Sequence, residues 1–534
     1  MTPASTTTPV AKAEGTTLGE LAKVLGAARV RGDANVVVTG VRQDSRRVES
    51  GELFAVRAGA RTNGWNYVGD AIARGAIALM SDSEPKDAAL SVPVIVVADV
   101  RDAIARAAHF VYGDPTRSLD VVGITGTNGK TTTSILVCRA LEASGQRPGL
   151  MGTLAYRFED LVLDSAYTTP EADEIARMAA AMRARGASHL VMEISSHALS
   201  QKRAEGVRVR VAVFTNLTQD HLDFHGSMEA YGDAKARLFF DFAPGASVVN
   251  VDDPFGRALA ERIAKERGAS SLYTVSSRIG TGADIVPVEI ELGAKRTRVR
   301  VRTRSGELDV GTNLIGAPNL ANVLSCIAIS SALGLDLKRV ALALEDVVVP
   351  GRFERCDGPS DDVVVVVDYA HTPDALDRAL GVLDSLRHGA RGAVNHRVSG
   401  SGPSAGAPSG RLICVFGCGG DRDPSKREPM GRAVAKWADV AVVTTDNARS
   451  EDPAAIAQAI VPGLAGTAKV VVELDRGRAI ADAVAEAAPG DVVLIAGKGH
   501  ETYQIVGGVT RHFDDREEAR RALAERRKRA GGAA

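Results

Sequence analysis

Gly123-Ile124-Thr125-Gly126-Thr127-Asn128-Gly129-Lys130-Thr131-Thr132 is the stretch that decides the fold of this chain. A short apolar run, Val121 to Thr125, feeds a loop of small residues, and a helical stretch follows. Glycine-rich loops let backbone N–H groups close around phosphate oxygens, and the helix N-terminus adds a favourable dipole. Gly126, Thr127, Asn128 and Gly129 are the candidate cradle, with Thr131 and Thr132 opening the helix. Lys130 would reach the terminal phosphates, and the Thr131 hydroxyl would ligate Mg²⁺. The strict phosphate-loop spacing fails, because Ile124 stands at the first glycine position. The alternative is a glycine loop that holds no phosphate, but strand, loop, lysine and threonine all fit nucleotide binding.

Outward from this loop, short apolar runs alternate with helical stretches. His189 to Ile194, Val211 to Thr215 and Val248 to Asp252 each end in polar residues. That is the pattern of a doubly wound, mainly parallel sheet with ligand groups at its strand ends. Pro350-Gly351-Arg352 is a break, and a second α/β series follows: Val363 to Asp368, Leu412 to Gly417, Val440 to Asp446 and Val492 to Gly497. These runs are continuous rather than alternating, as buried parallel strands require. Toward the N-terminus, Leu53 to Val56 reads as a strand between turns, and Gly113-Asp114-Pro115-Thr116 marks a boundary.

The chain has 534 residues, too many for one core, and 45% are hydrophobic and 25% charged. Lys+Arg (65) balances Asp+Glu (66), which argues against a general nucleic-acid or anionic-membrane surface. Five scattered cysteines read as reduced thiols of a cytosolic protein. The polar N-terminus has no signal-peptide core, and no apolar run reaches the roughly 18 residues of a membrane span. Residues 1–14 read as a disordered tail. Residues 388–410, rich in Gly, Ser, Pro and Arg, read as a disordered insertion.

Other residues are candidates for chemistry. Glu193, at a strand end, is either a Mg²⁺ ligand or a solvated acid. His221 in Asn216-Leu217-Thr218-Gln219-Asp220-His221 is a ligand or a structural histidine, and Lys235 in Tyr231-Gly232-Asp233-Ala234-Lys235 reads by spacing as a helical surface lysine. Asn319 and Asn322 are three apart on one helical face, where the alternative is helix capping after Pro318.

Together with the loop, these segments resemble the Mur ligases and the related folylpolyglutamate synthetases, from about residue 18 to about residue 520. The resemblance implies three domains: a smaller mixed α/β UDP-binding domain (15–115), a central phosphate-loop ATPase domain (116–350) and a C-terminal Rossmann-like domain that binds the amino acid (351–534). It implies ATP and Mg²⁺, with Thr131, Glu193, His221 and Lys235 as metal ligands, Lys235 being carbamylated by CO₂ to an N6-carboxylysine. Asn319 and Asn322 would sit beside adenine, Arg352 would meet the γ-phosphate, and Asp368 and His371 would complete the nucleotide contacts. Lys130, Lys235 and Arg352 would be the catalytic groups. Contacts from both sides of residue 350 imply closure of the domains.

Thr168, Thr169, Ser195, Gln201 and Arg203, with Ser45 and the Thr62-Asn63-Gly64 loop, resemble the residues with which one branch of the family holds UDP-MurNAc-L-Ala-D-Glu. Asp446-Asn447-Ala448-Arg449 resembles that branch's diaminopimelate motif, with Ala448 where proline is usual. Arg427, Gly497 and Glu501 match the remaining contacts. The resemblance therefore implies a cytoplasmic, monomeric acid–amino-acid ligase. It would add meso-2,6-diaminopimelate through an acyl phosphate, in peptidoglycan precursor synthesis and hence in cell-wall growth, shape and division. Its partners would be small-molecule substrates, with no nucleic acid and no membrane insertion. The other readings are a lysine-adding ligase of the same branch, a folylpolyglutamate synthetase-like ligase, and a non-catalytic nucleotide-binding module.

Overall fold

The computed structural model describes residues 14–26, 29–58, 63–84, 90–163, 165, 167–293, 296–387 and 410–531. The expected tail (all but Glu14), the expected insertion (all but Gly410) and Thr62 lie outside the described residues. The chain forms two compact units: Met1–Val288 with Arg300–Asp309 and Ala321–Leu344, and Glu289–Val299 with Val310–Leu320 and Glu345–Ala534.

The first unit carries two large sheets. The N-terminal one has five strands in the order Arg29–Arg31, Val94–Val96, Ala76–Ser81, Glu52–Val56, Gly40–Arg42, parallel except for the first pair. Helix Val100–Val111 covers one face of this sheet and is capped by the Asp99 side chain, which accepts from the Arg101 and Asp102 N–H groups. The larger sheet has eight strands: Leu161–Leu163, Tyr156–Phe158, Pro148–Met151, His189–Glu193, Asp120–Thr125, Val209–Phe214, Ala246–Asn250 and Leu272–Val275. The pairings from Pro148–Met151 onward are parallel, and the hairpin of the first two strands is antiparallel. Asp120–Thr125 lies between His189–Glu193 and Val209–Phe214, so strand order reverses around it. Open α/β sheets bind ligands at such a switch, beyond the carboxyl ends of the strands.

The second unit is built on six strands: Glu354–Arg355, Val364–Asp368, Val492–Ala496, Leu412–Phe416, Val440–Val443 and Lys469–Val472, parallel apart from the short first one. Alternate side chains feed two cores. Val366, Cys414, Phe416 and Leu494 pack on one face, and Val365, Val367, Ile413 and Val415 on the other. A strand buried on both faces must be apolar throughout, which explains why these runs read as continuous. Beyond the last central strand, Tyr503–Val506 and Val509–His512 form a hairpin around Gly507-Gly508, both at positive φ. The fold is α/β with mainly parallel, doubly wound sheets, and no helix among the described residues is long and apolar enough to cross a membrane.

Candidate active site

In the first unit, the loop 126–129 joins strand Asp120–Thr125 to helix Lys130–Ala143. Two glycines are required there. A Cβ at Gly126 would lie 1.9 Å from Thr215 Oγ1, and one at Gly129, where φ is +85°, would lie 2.4 Å from Asn322 Oδ1. The loop is held from behind: Asn128 N–H donates to Asn216 Oδ1 at 2.9 Å, and Thr215 Oγ1 donates to the Asn128 carbonyl at 2.6 Å. The Lys130 ammonium curls onto the loop, donating to the Gly126 and Thr127 carbonyls at 2.8 and 2.9 Å. Asn322 accepts from Thr133 Oγ1 at 3.3 Å.

Glu193 is not a solvated acid. It is buried at its strand end and accepts from Thr131 Oγ1 (2.9 Å), Thr153 N–H (2.8 Å) and Thr153 Oγ1 (3.0 Å). Nor does Lys235 lie on a helical surface. It is 1% exposed on helix Met228–Phe240, with its ammonium 4.2 Å from the centre of the Tyr231 ring and, among the described residues, no carboxylate in ion-pair contact. Burial, with the Lys130 charge adding to it, pushes the Lys235 amine well below the usual lysine range. His221 is half-exposed at φ +53°, beside Asp220 at 3.4 Å, and its ring stands 4.7 Å from that of His197. Burial lowers the His221 and His197 pKa values, the latter to about 4, so both rings are held neutral. His225 Nε2 lies 2.9 Å from Ser196 Oγ.

Of the candidates for the sugar-peptide, Thr168, Thr169, Ser195, Gln201 and Arg203 lie together beside Glu193. Thr169 Oγ1 donates to the Glu193 carbonyl at 2.9 Å and accepts from Ser195 N–H at 3.0 Å, and the Thr168 and Thr153 hydroxyl oxygens lie 3.1 Å apart. Arg203 grips Gln201 Oε1 through two nitrogens (3.0 and 2.7 Å) and lies 3.2 Å from Glu171. Glu171 is also 3.6 Å from Arg57 of the N-terminal sheet region. Ser45 is buried in the single turn Ser45–Arg47, and Asn63 caps the turn Gly64–Tyr67 through the Trp65 N–H.

In the second unit, the Arg352 guanidinium lies 4.4 Å from the centre of the Tyr369 ring, and its Nε has no hydrogen-bond partner among the described residues. Asp368 accepts from Phe353 N–H (2.7 Å) and Ala370 N–H (3.0 Å), while burial pushes its pKa up. The carboxylate keeps lone pairs for further donors. Burial holds His371 neutral, its Nδ1 against the Tyr369 carbonyl at 2.8 Å. Asn319 Nδ2 donates to the Ile315 carbonyl at 3.0 Å.

The C-terminal candidates converge at the carboxyl ends of strands Val440–Val443 and Val492–Ala496. Asn447 Nδ2 donates to Glu501 Oε2 at 2.8 Å. The fully buried Lys498 ammonium lies 3.2 Å from Asn447 Oδ1, 3.3 Å from Glu501 Oε2 and 3.6 Å from Asp446 Oδ1. Burial pushes both carboxyls up. In Asp446 the Lys498 and Arg476 charges prevail and hold it low, whereas Glu501 stays raised. Gly497, at φ +120°, leaves room for Asp446, which a Cβ there would approach to 3.0 Å. Arg427 is buried and pairs with Glu451 at 2.7 Å, with its Nε unpartnered among the described residues. Arg449, at φ +53°, donates to the Gly420 carbonyl at 2.6 Å. Three cations (Lys498, Arg427 and Arg449), three carboxylates (Asp446, Glu451 and Glu501) and the Asn447 amide are thus gathered at these strand ends, charged groups of both signs of the kind a zwitterion with an additional charged end requires.

Sequence reasoning passed over Lys498, Glu451, Thr153 and Gln504. Lys498 was detectable, since a lysine between two glycines at the end of a buried strand has no solvated face to occupy. Thr153 and Gln504 carry no comparable signal, because their roles depend on pairings across the fold.

Residues 37–112, 124–330 and 403–499 match, in turn, the families described as Mur ligase family, catalytic domain; Mur ligase middle domain; and Mur ligase, glutamate ligase domain. A relative from Gloeobacter violaceus, called UDP-N-acetylmuramoyl-L-alanyl-D-glutamate--2,6-diaminopimelate ligase, is 44% identical over 93% of this chain and 96% of its own. One of the same name from Streptomyces coelicolor is 42% identical over 95% and 96%. A solved structure of a ligase so named superimposes with TM-score 0.66 at 30% identity, covering 96% of this chain and 99% of its own. A MurF ligase from Thermotoga maritima, solved with ADP, shares the fold at TM-score 0.59 and 19% identity over 92% and 98%. The chain belongs to the Mur ligase family.

Proposed function

We propose that this chain joins meso-2,6-diaminopimelate to UDP-MurNAc-L-Ala-D-Glu at the expense of ATP, in peptidoglycan precursor synthesis. The observation that carries the reading is the C-terminal cluster, where Arg449 and Arg427 stand with Asp446, Asn447 and Glu501. Relatives at 41–44% identity bear the name of that activity. The same reading assigns the segments 15–115, 116–350 and 351–534 to the UDP-sugar, ATP and amino acid; the three family matches fall within these bounds. It also places the enzyme in the cytoplasm, acting as a monomer on small-molecule substrates.

In the proposed reaction, the D-Glu side-chain carboxylate attacks the γ-phosphate of ATP, giving an acyl phosphate and ADP. An amine of diaminopimelate then adds to the acyl carbon, and phosphate leaves as the amide forms. Lys130 leaves the loop carbonyls for phosphate oxygens, and Arg352 supplies a second cation for the charge that develops on the transferred group. Asp446 and Glu501 receive ammonium, and Arg449 grips the distal carboxylate.

Mg²⁺ suits the residues around the loop. A buried carboxylate shares a 2.9 Å hydrogen bond with the Thr131 hydroxyl, a hard-oxygen pair of the kind the ion takes alongside water and substrate phosphates. Thr131, Glu193, His221 and carbamylated Lys235 would hold it, and when bound it would neutralise phosphate charge. A carbamate forms only from neutral amine, and burial favours that form at Lys235, which has no carboxylate in ion-pair contact among the described residues. Phosphate release by the purified protein tests the reading: it should require the UDP-sugar-dipeptide and diaminopimelate together. Equal release with L-lysine, or none with either amino acid, would contradict it.

A further inference from the structure

Arg449 is built on left-handed backbone, which a non-glycine residue occupies at a cost, so its placement must be enforced from outside the loop. The enforcing element is the hairpin Tyr503–His512. Gln504, with no exposed surface, donates through Nε2 to both the Thr445 carbonyl (3.1 Å) and the Asp446 carbonyl (3.2 Å). Ile505 N–H donates to Asn447 Oδ1 at 3.0 Å. Arg449 N–H donates to the Ile505 carbonyl at 3.0 Å, Gly508 N–H donates to the Arg449 carbonyl at 3.3 Å, and Arg449 bridges to Val506 in parallel register. The hairpin thus contacts Thr445, Asp446, Asn447 and Arg449 through hydrogen bonds.

The orientation of the Gln504 amide is itself determined. Two carbonyls on one side demand the NH₂ group, and Arg511 on the other demands the oxygen, which it holds through Nε at 3.0 Å and Nη2 at 2.6 Å. Arg511 lies on the exposed strand of the hairpin, so a surface cation fixes the rotamer of a buried amide. Every hydrogen-bonding group of the Gln504 side chain is committed to this task and none is left for a ligand.

We infer that Gln504 is a positioning residue for amino-acid selection: oriented by Arg511, it fixes the Thr445–Arg449 loop so that the Arg449 guanidinium meets the distal carboxylate of the diamino acid. The inference rests on the proposed function for the identity of that amino acid, but its mechanical content does not. Misplacing a binding group by about 1 Å costs on the order of a hundredfold where geometry is strict. Gln504→Leu removes the hydrogen bonds at similar volume. Gln504→Glu keeps the shape and the Arg511 contact but turns an acceptor on the two carbonyls.

The test measures kcat, and KM for all three substrates, in both variants and in Arg511→Met, using full-length protein. Both Gln504 variants should raise KM for the diamino acid about tenfold or more, with kcat and the other two KM values within about threefold. Preference for diaminopimelate over lysine should fall in step, and Arg511→Met should show a smaller shift of the same kind. Should Gln504→Leu fail to fold, the other two variants decide. Wild-type KM in Gln504→Glu, or equal losses for all three substrates, would overturn the inference by making Gln504 a packing residue. The wild-type enzyme's choice of diamino acid tests the proposed function separately, because the variant-to-wild-type ratio is taken with whichever amino acid it uses.

Discussion

On the proposed reading, Arg449 and Lys235 have opposite tasks. The distal carboxylate of diaminopimelate is what separates that ligand from lysine, and Arg449 is the residue proposed to meet it. A site built for a charged group rejects an analogue lacking it, because its own charge is left unpaired. Loss of a desolvated charge contact costs about 2–5 kcal/mol, so Arg449→Ala should lower kcat/KM for diaminopimelate roughly 30- to several-thousand-fold. Lysine should lose far less, and equal losses for both would remove Arg449 from the selection step. Lys235 is proposed to become a carbamate, and burial already pushes its amine well below the usual lysine range. Lys235→Ala should nearly abolish ligation, with partial recovery on adding short-chain carboxylic acids. Full activity of Lys235→Ala would refute the carbamate. The loop lysine was legible because its motif is contiguous. The burial of Lys235 was legible in principle too: Tyr231, Ala234, Lys235 and Leu238 follow helical spacing, and all four are buried. Reading it as a surface lysine weighed residue type over position in that stripe.

At the scale of elements, the central parallel strands were readable because burial on both faces leaves them few polar positions, and their ends fell within a few residues of the apolar runs. The hairpin Tyr503–His512 was missed despite Gly507-Gly508, a strong turn signal between β-forming residues. Helix Val100–Val111 shows a different cost. Its His109 is 3% exposed, with both ring nitrogens unpartnered among the described residues. Burial, with Arg208 opposing Asp114, pushes its pKa down to about 4. A folded pKa below the unfolded one means the neutral ring is favoured by folding. Stability is therefore complete above the unfolded pKa and falls as pH drops from about 6.5 toward 4. At pH 5 the loss is ~2 kcal/mol. His109→Phe should narrow the difference in Tm between pH 8 and pH 5. An unchanged difference would show that this ring does not titrate across folding.

At the scale of the whole molecule, the sequence reads as an α/β chain with two breaks, and the three family matches fall before, between and after them. What it could not supply was the company each residue keeps. Glu193, Thr153 and Thr169 meet only after strands far apart in sequence pair, and so do Asn447, Lys498 and Gln504. Single residues of these types are ordinarily solvated, which is why composition and spacing left them ambiguous. The claim that joins both units is the identity of the amino acid added. Its most direct test is a competition: purified wild-type protein, ATP, Mg²⁺ and UDP-MurNAc-L-Ala-D-Glu with equimolar meso-diaminopimelate and L-lysine, the product being read by mass spectrometry. The account predicts a product heavier by one diaminopimelate less one water, with the lysine adduct a minor species. A predominant lysine adduct, or an even mixture of the two, would contradict it.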